Sequence, residues 1–151
     1  MPEPTLRLFA DIRELIEAAR QRVAHVVNAE LALLYWHIGH RINTDVLEGK
    51  RGGYGQEVVK SLAGELTLHY GKGWGERQLW YCMRFAEVFE DEAIVNTLCT
   101  KFSWSHLRIL IFMANPPKRA FCAEMCRLEK WSVRQMRERV QSMLYERTAI
   151  S

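Results

Sequence analysis

Residues 53–89 read "GYGQEVVKSLAGELTLHYGKGWGERQLWYCMRFAEVF". Two helical periods meet at "GKGWG", residues 71–75. The first runs from Gln56 to His69 and closes on Gly71, the residue type that most easily takes the left-handed turn after a helix. The second runs from Arg77 to Phe89 and carries Leu79, Trp80, Met83, Phe85, Ala86 and Phe89. Such a corner is either a helix-turn-helix that docks on nucleic acid or a plain corner in a helical core. Which of the two it is depends on what surrounds it.

Toward the N-terminus, Phe9, Ile12, Ile16, Ala19, Val23, Val26, Val27, Leu31, Leu34, Ile38 and Ile42 recur at three and four, which predicts one helix from Phe9 to about Asp45. At 1.5 Å per residue it would run roughly 50 Å, longer than one edge of a domain this size needs. Either the rod bends at Gly39, its weakest point, or it offers part of its stripe to another chain. Glu48 to Gly55, "EGKRGGYG", reads as the loop that follows.

Toward the C-terminus, "EDEAIVNTLC" predicts a short helix with Asp91 and Glu92 at its positive end. Ser103 or Ser105 caps the next, an apolar run to Met113 that stops at Asn115, Pro116 and Pro117. Lys118 to Leu128 begins after those prolines. The last helix opens at Ser132, with Gln135 three residues on completing a capping box, and its stripe is Val133, Met136, Val140, Met143 and Leu144. No segment alternates like a strand between turn signals. The expected fold is therefore all-α: one domain over residues 1–151, a compact bundle of six or seven helices with helix-turn-helix-like corners, leaving room for a small wing.

Net charge is +3, but Lys and Arg stand against Asp and Glu as 6 to 7 in residues 1–50, 5 to 7 in 51–100 and 10 to 4 in 101–151. The whole positive excess lies in the last third, and gathered on one surface it would attract phosphate. The first residues, "MPEPTLRLFADIRE", lack the basic start and apolar run of a secretory signal, and no stretch approaches a membrane span. A cytoplasmic protein without membrane contact is expected. Cys82, Cys99, Cys122 and Cys126 fall inside apolar patterns and read as reduced core thiols.

Two clusters could meet nucleic acid. The corner and the helix after it offer Lys72, then Arg77, Gln78, Tyr81 and Arg84; Arg and Gln match guanine and adenine edges. Glu76, Glu87 and Glu90 flank them, so an ordinary surface helix is the competing reading. The C-terminal cluster comprises Arg108, Lys118, Arg119, Arg127, Lys130, Arg134, Arg137, Arg139 and Arg147, with Arg134, Arg137 and Gln141 spaced to share one face. The predicted contact set is Lys72, Arg77, Gln78, Arg84, Lys130, Arg134, Arg137 and Gln141. Trp74 reads either as a base-stacking ring or as a lid between the second and third helices.

Catalytic and metal readings are weaker. "EGK" at Glu48 to Lys50 matches the end of a metal-dependent nuclease motif but sits in a Gly-rich helix exit rather than on strands. Cys122 with Cys126, and His37 with His40, lack the converging set that zinc needs. His106 beside Ser103 and Ser105 has no orienting carboxylate in view. No catalytic residue, metal ligand or cofactor is predicted.

Taken together, "LLYWHIGHRI" (33–42), "GGYGQEVVKSLAGEL" (52–66), "GWGERQLWYCMRFAEVF" (73–89), "FSWSHLRILI" (102–111) and "KWSVRQMRERVQSMLYER" (130–147) resemble the YhcG N-terminal domain over nearly the whole chain. Tyr35, Trp36 and Gly39 match its first motif, Tyr54 and Gly55 its second, and Arg77, Leu79, Met83 and Phe85 its third. Trp104 and Ser105 match the fourth, and Trp131, Ser132, Tyr145, Glu146 and Arg147 the last. The resemblance implies a helical domain that precedes a PD-(D/E)XK nuclease domain, regarded as a winged-helix or helix-turn-helix DNA-binding module. That nuclease domain is expected to be absent after Ser151, and its catalytic residues are not carried over. The expected function is non-catalytic binding of double-stranded DNA beside a nuclease partner; the alternative is a protein-interaction or homodimerisation module.

Overall fold

Eight helices form among the described residues, in the order α1 Glu3–Gly49, α2 Tyr54–Tyr70, α3 Glu76–Val88, α4 Glu92–Lys101, α5 Trp104–Ile111, α6 Pro116–Glu129, α7 Val133–Gln141 and α8 Leu144–Ile150. The structure, a computed structural model, describes residues 2–49 and 54–150, and the side chains of 47–49 and 54 lie outside that description. No strand occurs among the described residues, so the small wing has no counterpart there.

Helix starts follow local chemistry. Asp91 accepts from the Ala93 amide, Ser103 from His106 and Asn115 from Lys118; Ser132 and Gln135 form both halves of the capping box. Pro116 and Pro117 do not merely end the preceding run. They form the first turn of α6, where a missing N–H leaves no bond unmade. The eighth helix arises because Met143 takes a left-handed φ of 59° and splits the expected last helix into α7 and α8.

α1 runs through Gly39 without a break. It is one helix of 47 residues, and Gly39 is where α3 crosses it. A Cβ there would lie 1.8 Å from the Cys82 carbonyl oxygen, so only glycine lets the two backbones meet this closely. On either side of the crossing, Trp36 donates its indole N–H to Phe89 O (2.7 Å) and Asn43 donates to Met83 O (2.9 Å). One core cluster gathers Ala32, Trp36, Phe85, Val95, Leu107, Leu110, Ile111 and Met136 from α1, α3, α4, α5 and α7. A second, smaller one joins Ile42, Val59, Ala63, Leu79 and Met83, with Trp74 packed on it from the α2–α3 corner.

The part of α1 before Ala29 touches none of this. Residues 2–28 are exposed throughout, including Phe9, Ile12, Leu15, Ile16, Val23 and Val26. α1 is therefore an arm for half its length and a packed helix for the other half.

Candidate nucleic-acid interface

α3 buries Leu79, Cys82, Met83, Phe85 and Ala86 and turns Arg77, Trp80, Tyr81 and Arg84 outward, as the helical period requires. Next to it lies the end of α5. There Phe112 is 58% exposed, and its ring meets Tyr81 edge-on at 5.4 Å. Arg108 lays its guanidinium over the same Tyr81 ring, 4.3 Å from the centroid. Two open hollows share Tyr81 and Phe112 as their common wall. One is lined by Arg77, Trp80, Arg84, Glu76 and Glu87. The other is lined by Arg108, Asn115, Lys118, Arg137 and Glu146.

Arg77 from the first predicted cluster and Arg137 from the second thus border one surface, with aromatic rings between them. Trp80 is 43% exposed on it. Neither Arg77 nor Arg137 has an acidic partner among the described ion pairs, whereas Lys118 is held by Glu146 at 2.7 Å. That lysine keeps the Glu146 carboxyl below the usual carboxylate range by donating to it.

The other predicted residues are placed differently. Arg84 lines the first hollow, but its Nε donates to Ile111 O (3.0 Å) and its guanidinium lies 3.7 Å from Glu87. Arg119 donates to Leu110 O (3.2 Å) and to Met113 O. Together these two arginines donate to carbonyls at and just beyond the end of α5, of which Leu110 O also accepts from the Met113 amide, and their charge suits the negative pole of that helix. Burial first, and Arg84 nearby second, push the pKa of Arg119 down. Gln78 is half-buried in the row of Cys82 and Phe85, a step round the helix from Arg77. Arg134 pairs with Glu138 at 3.4 Å, Arg127 with Glu124, and Arg139 lies over the Trp131 ring at 5.8 Å. Lys72, Lys130 and Gln141 are exposed but line neither hollow. The C-terminal charge excess is therefore partly spent on ion pairs and caps rather than spread as one row of cations.

Trp80, Arg108 and Phe112 were outside the predicted contact set. Trp80 reads as part of a core stripe, and Phe112 hides in the unbroken apolar run "ILIFM", where no polar residue marks which side faces out. Trp74 is half-buried, 6.0 Å from the Tyr35 ring and 6.4 Å from Tyr70. It covers the gap beside the smaller core cluster.

His106 has a structural surrounding. Its Nε2 lies 2.8 Å from Trp131 O, a carbonyl that can only accept, so Nε2 carries the proton and Nδ1 accepts from the Ser103 hydroxyl at 2.7 Å. A neutral carbonyl occupies the place an orienting carboxylate would need, and the set ties α5 to the α6–α7 corner. Burial pushes the Cys82 thiol up to about 12 and Cys99 to about 11, and Cys122 and Cys126 are also buried and raised, opposite to what thiolate ligands need. Among the described residues no three His, Cys, Asp or Glu side chains converge on a metal position. Of the Glu48–Lys50 match, Glu48 and Gly49 lie in the last turn of α1 with their side chains outside the description, and Lys50 lies outside the described residues. No helix among them is long and apolar enough to cross a membrane.

Comparison with known proteins adds two findings. Residues 11–147 match the family described as the DUF1016 N-terminal domain. The chain is also similar to "Putative nuclease YhcG" of Escherichia coli (strain K12), 25% identical over 170 aligned positions that cover 93% of this chain and 45% of that protein. It thus spans a little under half the length of that relative. No solved structure matches.

Proposed function

The chain belongs to the DUF1016 N-terminal domain family, and from that premise we propose that it is a single, non-catalytic helical domain that holds double-stranded DNA in the cytoplasm for a nuclease. The observation that supports this reading is the shared surface on which Arg77, Arg108 and Arg137 border Trp80, Tyr81 and Phe112. Arginines without acidic partners suit phosphate oxygens, and affinity from such contacts falls with salt whatever the base sequence. Exposed rings beside them add contact where a base is unstacked, at an end, gap or branch. Arg84, fixed by Ile111 O and Glu87, shapes the wall rather than reaching out.

The test is a salt titration of a labelled duplex by fluorescence anisotropy. Replacing both Arg77 and Arg137 by alanine is expected to flatten the log–log salt dependence by about 1.8, two phosphates at ~0.9 each. Arg134→Ala, whose partner is Glu138, should change it less. Superimposable curves for wild type and the double variant would remove the reading. A second reading, association with another protein chain, is favoured by the uncovered apolar stripe of α1, and the two are compatible.

A further inference from the structure

We propose that the arm of α1, residues 5–30, pairs antiparallel with the same arm of a second copy. The inference deepens the association reading and stands whether or not the Arg77–Arg137 surface binds DNA.

The two halves of α1 use opposite faces. The body buries Ala32, Trp36, Gly39 and Ile42 and bonds through Asn43. Continued up the helix, that face meets Arg7, Glu14, Gln21, His25 and Asn28, all polar and exposed. At 100° per residue, Phe9, Ile12, Ile16, Val23 and Val26 come out about 125–175° away from its centre. The arm is therefore not a stray extension of the docking face; it carries a stripe of its own, 46–63% exposed at those five positions.

That stripe has the spacing of a coiled-coil seam. Phe9, Ile12, Ile16, Ala19, Val23 and Val26 follow one another by three, four, three, four and three residues. With Leu8, Leu15 and Val27 at its edges, the apolar area left open is on the order of 800 Å², the share that one partner of a standard-size interface buries. A patch this large is unusual on a monomer's surface.

Charge and side-chain size choose both the partner and the direction. In a parallel pair Glu30, the next seam position, would face its own copy, and so would Ala19, leaving a like-charge contact and a gap. Turned antiparallel, Phe9 faces the second copy's Val26, Ile12 its Val23 and Ile16 its Ala19, so large meets small in every layer. Glu30 then meets Thr5, a polar layer at the mouth of the seam. The charges beside the seam are Arg13, Arg20 and Arg22, whereas Arg7 and Glu14 lie on the far face of the helix, so the direction is set by the seam layers rather than by the flanking charges. One contact opposes this: Arg13 comes beside the second copy's Arg20, eased by Glu17, which lies 3.9 Å from Arg20 in its own chain.

Sedimentation equilibrium of the full chain should give a dimer, and Ile16→Glu together with Val23→Glu should give a monomer with unchanged helical circular dichroism, since both side chains are exposed in the single chain. Direction is read by mild oxidation: Phe9→Cys combined with Val26→Cys should cross-link to a covalent dimer, whereas Phe9→Cys alone should not, because in the antiparallel register the two copies of residue 9 stand roughly 25 Å apart along the axis. A wild-type monomer at the highest soluble concentration overturns the proposal, as does a dimer that survives both glutamates. Efficient cross-linking through Phe9→Cys alone overturns the antiparallel direction. Loss of DNA binding in the Arg77/Arg137 variant with the dimer intact would leave this inference untouched.

Discussion

Replacing Gly39 with alanine tests the crossing of α1 and α3. The new methyl carbon would stand 1.8 Å from Cys82 O and 2.8 Å from Met83 N, both backbone atoms that cannot swing aside. Restoring ordinary contact requires α3 to retreat by about 1.5 Å, enough to forfeit much of the local dispersion energy. The same retreat stretches the Trp36–Phe89 bond from 2.7 Å and the Asn43–Met83 bond from 2.9 Å past useful range. Two lost hydrogen bonds at ~1 kcal/mol each and an overpacking penalty of ~2 kcal/mol oppose a gain of ~1 kcal/mol in helix propensity. The net loss is about 3 kcal/mol, or roughly 6–12 °C in melting temperature for a chain of this size. Gly64 in α2 supplies the control: nothing lies within 4 Å of its would-be Cβ, so Gly64→Ala should stabilise by about 0.5–1 kcal/mol. Urea midpoints for the two variants should therefore move in opposite directions. If Gly39→Ala matches or exceeds wild type, the close approach does not hold the helices together as argued.

Three further outcomes concern one buried and two half-buried groups. Because the folded Cys82 thiol titrates near 12 and an unfolded one near 9.0, its contribution is intact below pH 9 and disappears as pH rises toward 12, up to about 4 kcal/mol at ~1.36 kcal/mol per unit; urea midpoints against pH should fall less steeply for Cys82→Ala than for wild type. Arg119→Met removes the donor to both Leu110 O and Met113 O and should destabilise by about 2–3 kcal/mol in the same assay. Arg84→Met, which loses the single bond to Ile111 O, should cost less.

Helix starts were the most legible part of the chain, because a cap is chemistry within four residues: Ser132 and Gln135 form the capping box their spacing predicts and Ser103, one of two candidates, caps α5, whereas Asp91 was read only as charge at a helix start and Asn115 only as a stop. The break at Met143 was not legible. Met143 fits the apolar stripe, and nothing in a bulky side chain announces a positive φ. Gly39 looked like a weak link because glycine lowers helix propensity, whereas its role is set by Cys82, more than forty residues away in sequence. Arg84 and Arg119 stand apart from a list of surface cations because of partners that helical spacing does not announce: Ile111 O, 27 residues from Arg84, and Leu110 O and Met113 O, nine and six residues before Arg119. Arg77 and Arg137 could be found as exposed arginines, but the rings that join them could not, since Trp80 and Phe112 differ from core aromatics only in which way their helices are turned.

Mechanically, α1 is a lever whose fulcrum is the Gly39 crossing. Its tip stands 36 residues away, roughly 54 Å at 1.5 Å per residue, so a tilt of about 5° at the fulcrum sweeps the tip through about 5 Å. A side chain or bound molecule that wedges α3 by a fraction of an ångström is thereby magnified into a displacement the size of a whole residue. The aim of the arm is set in part where Gly39 meets the α3 backbone, and a sequence change there would redirect the tip without altering a single residue along it.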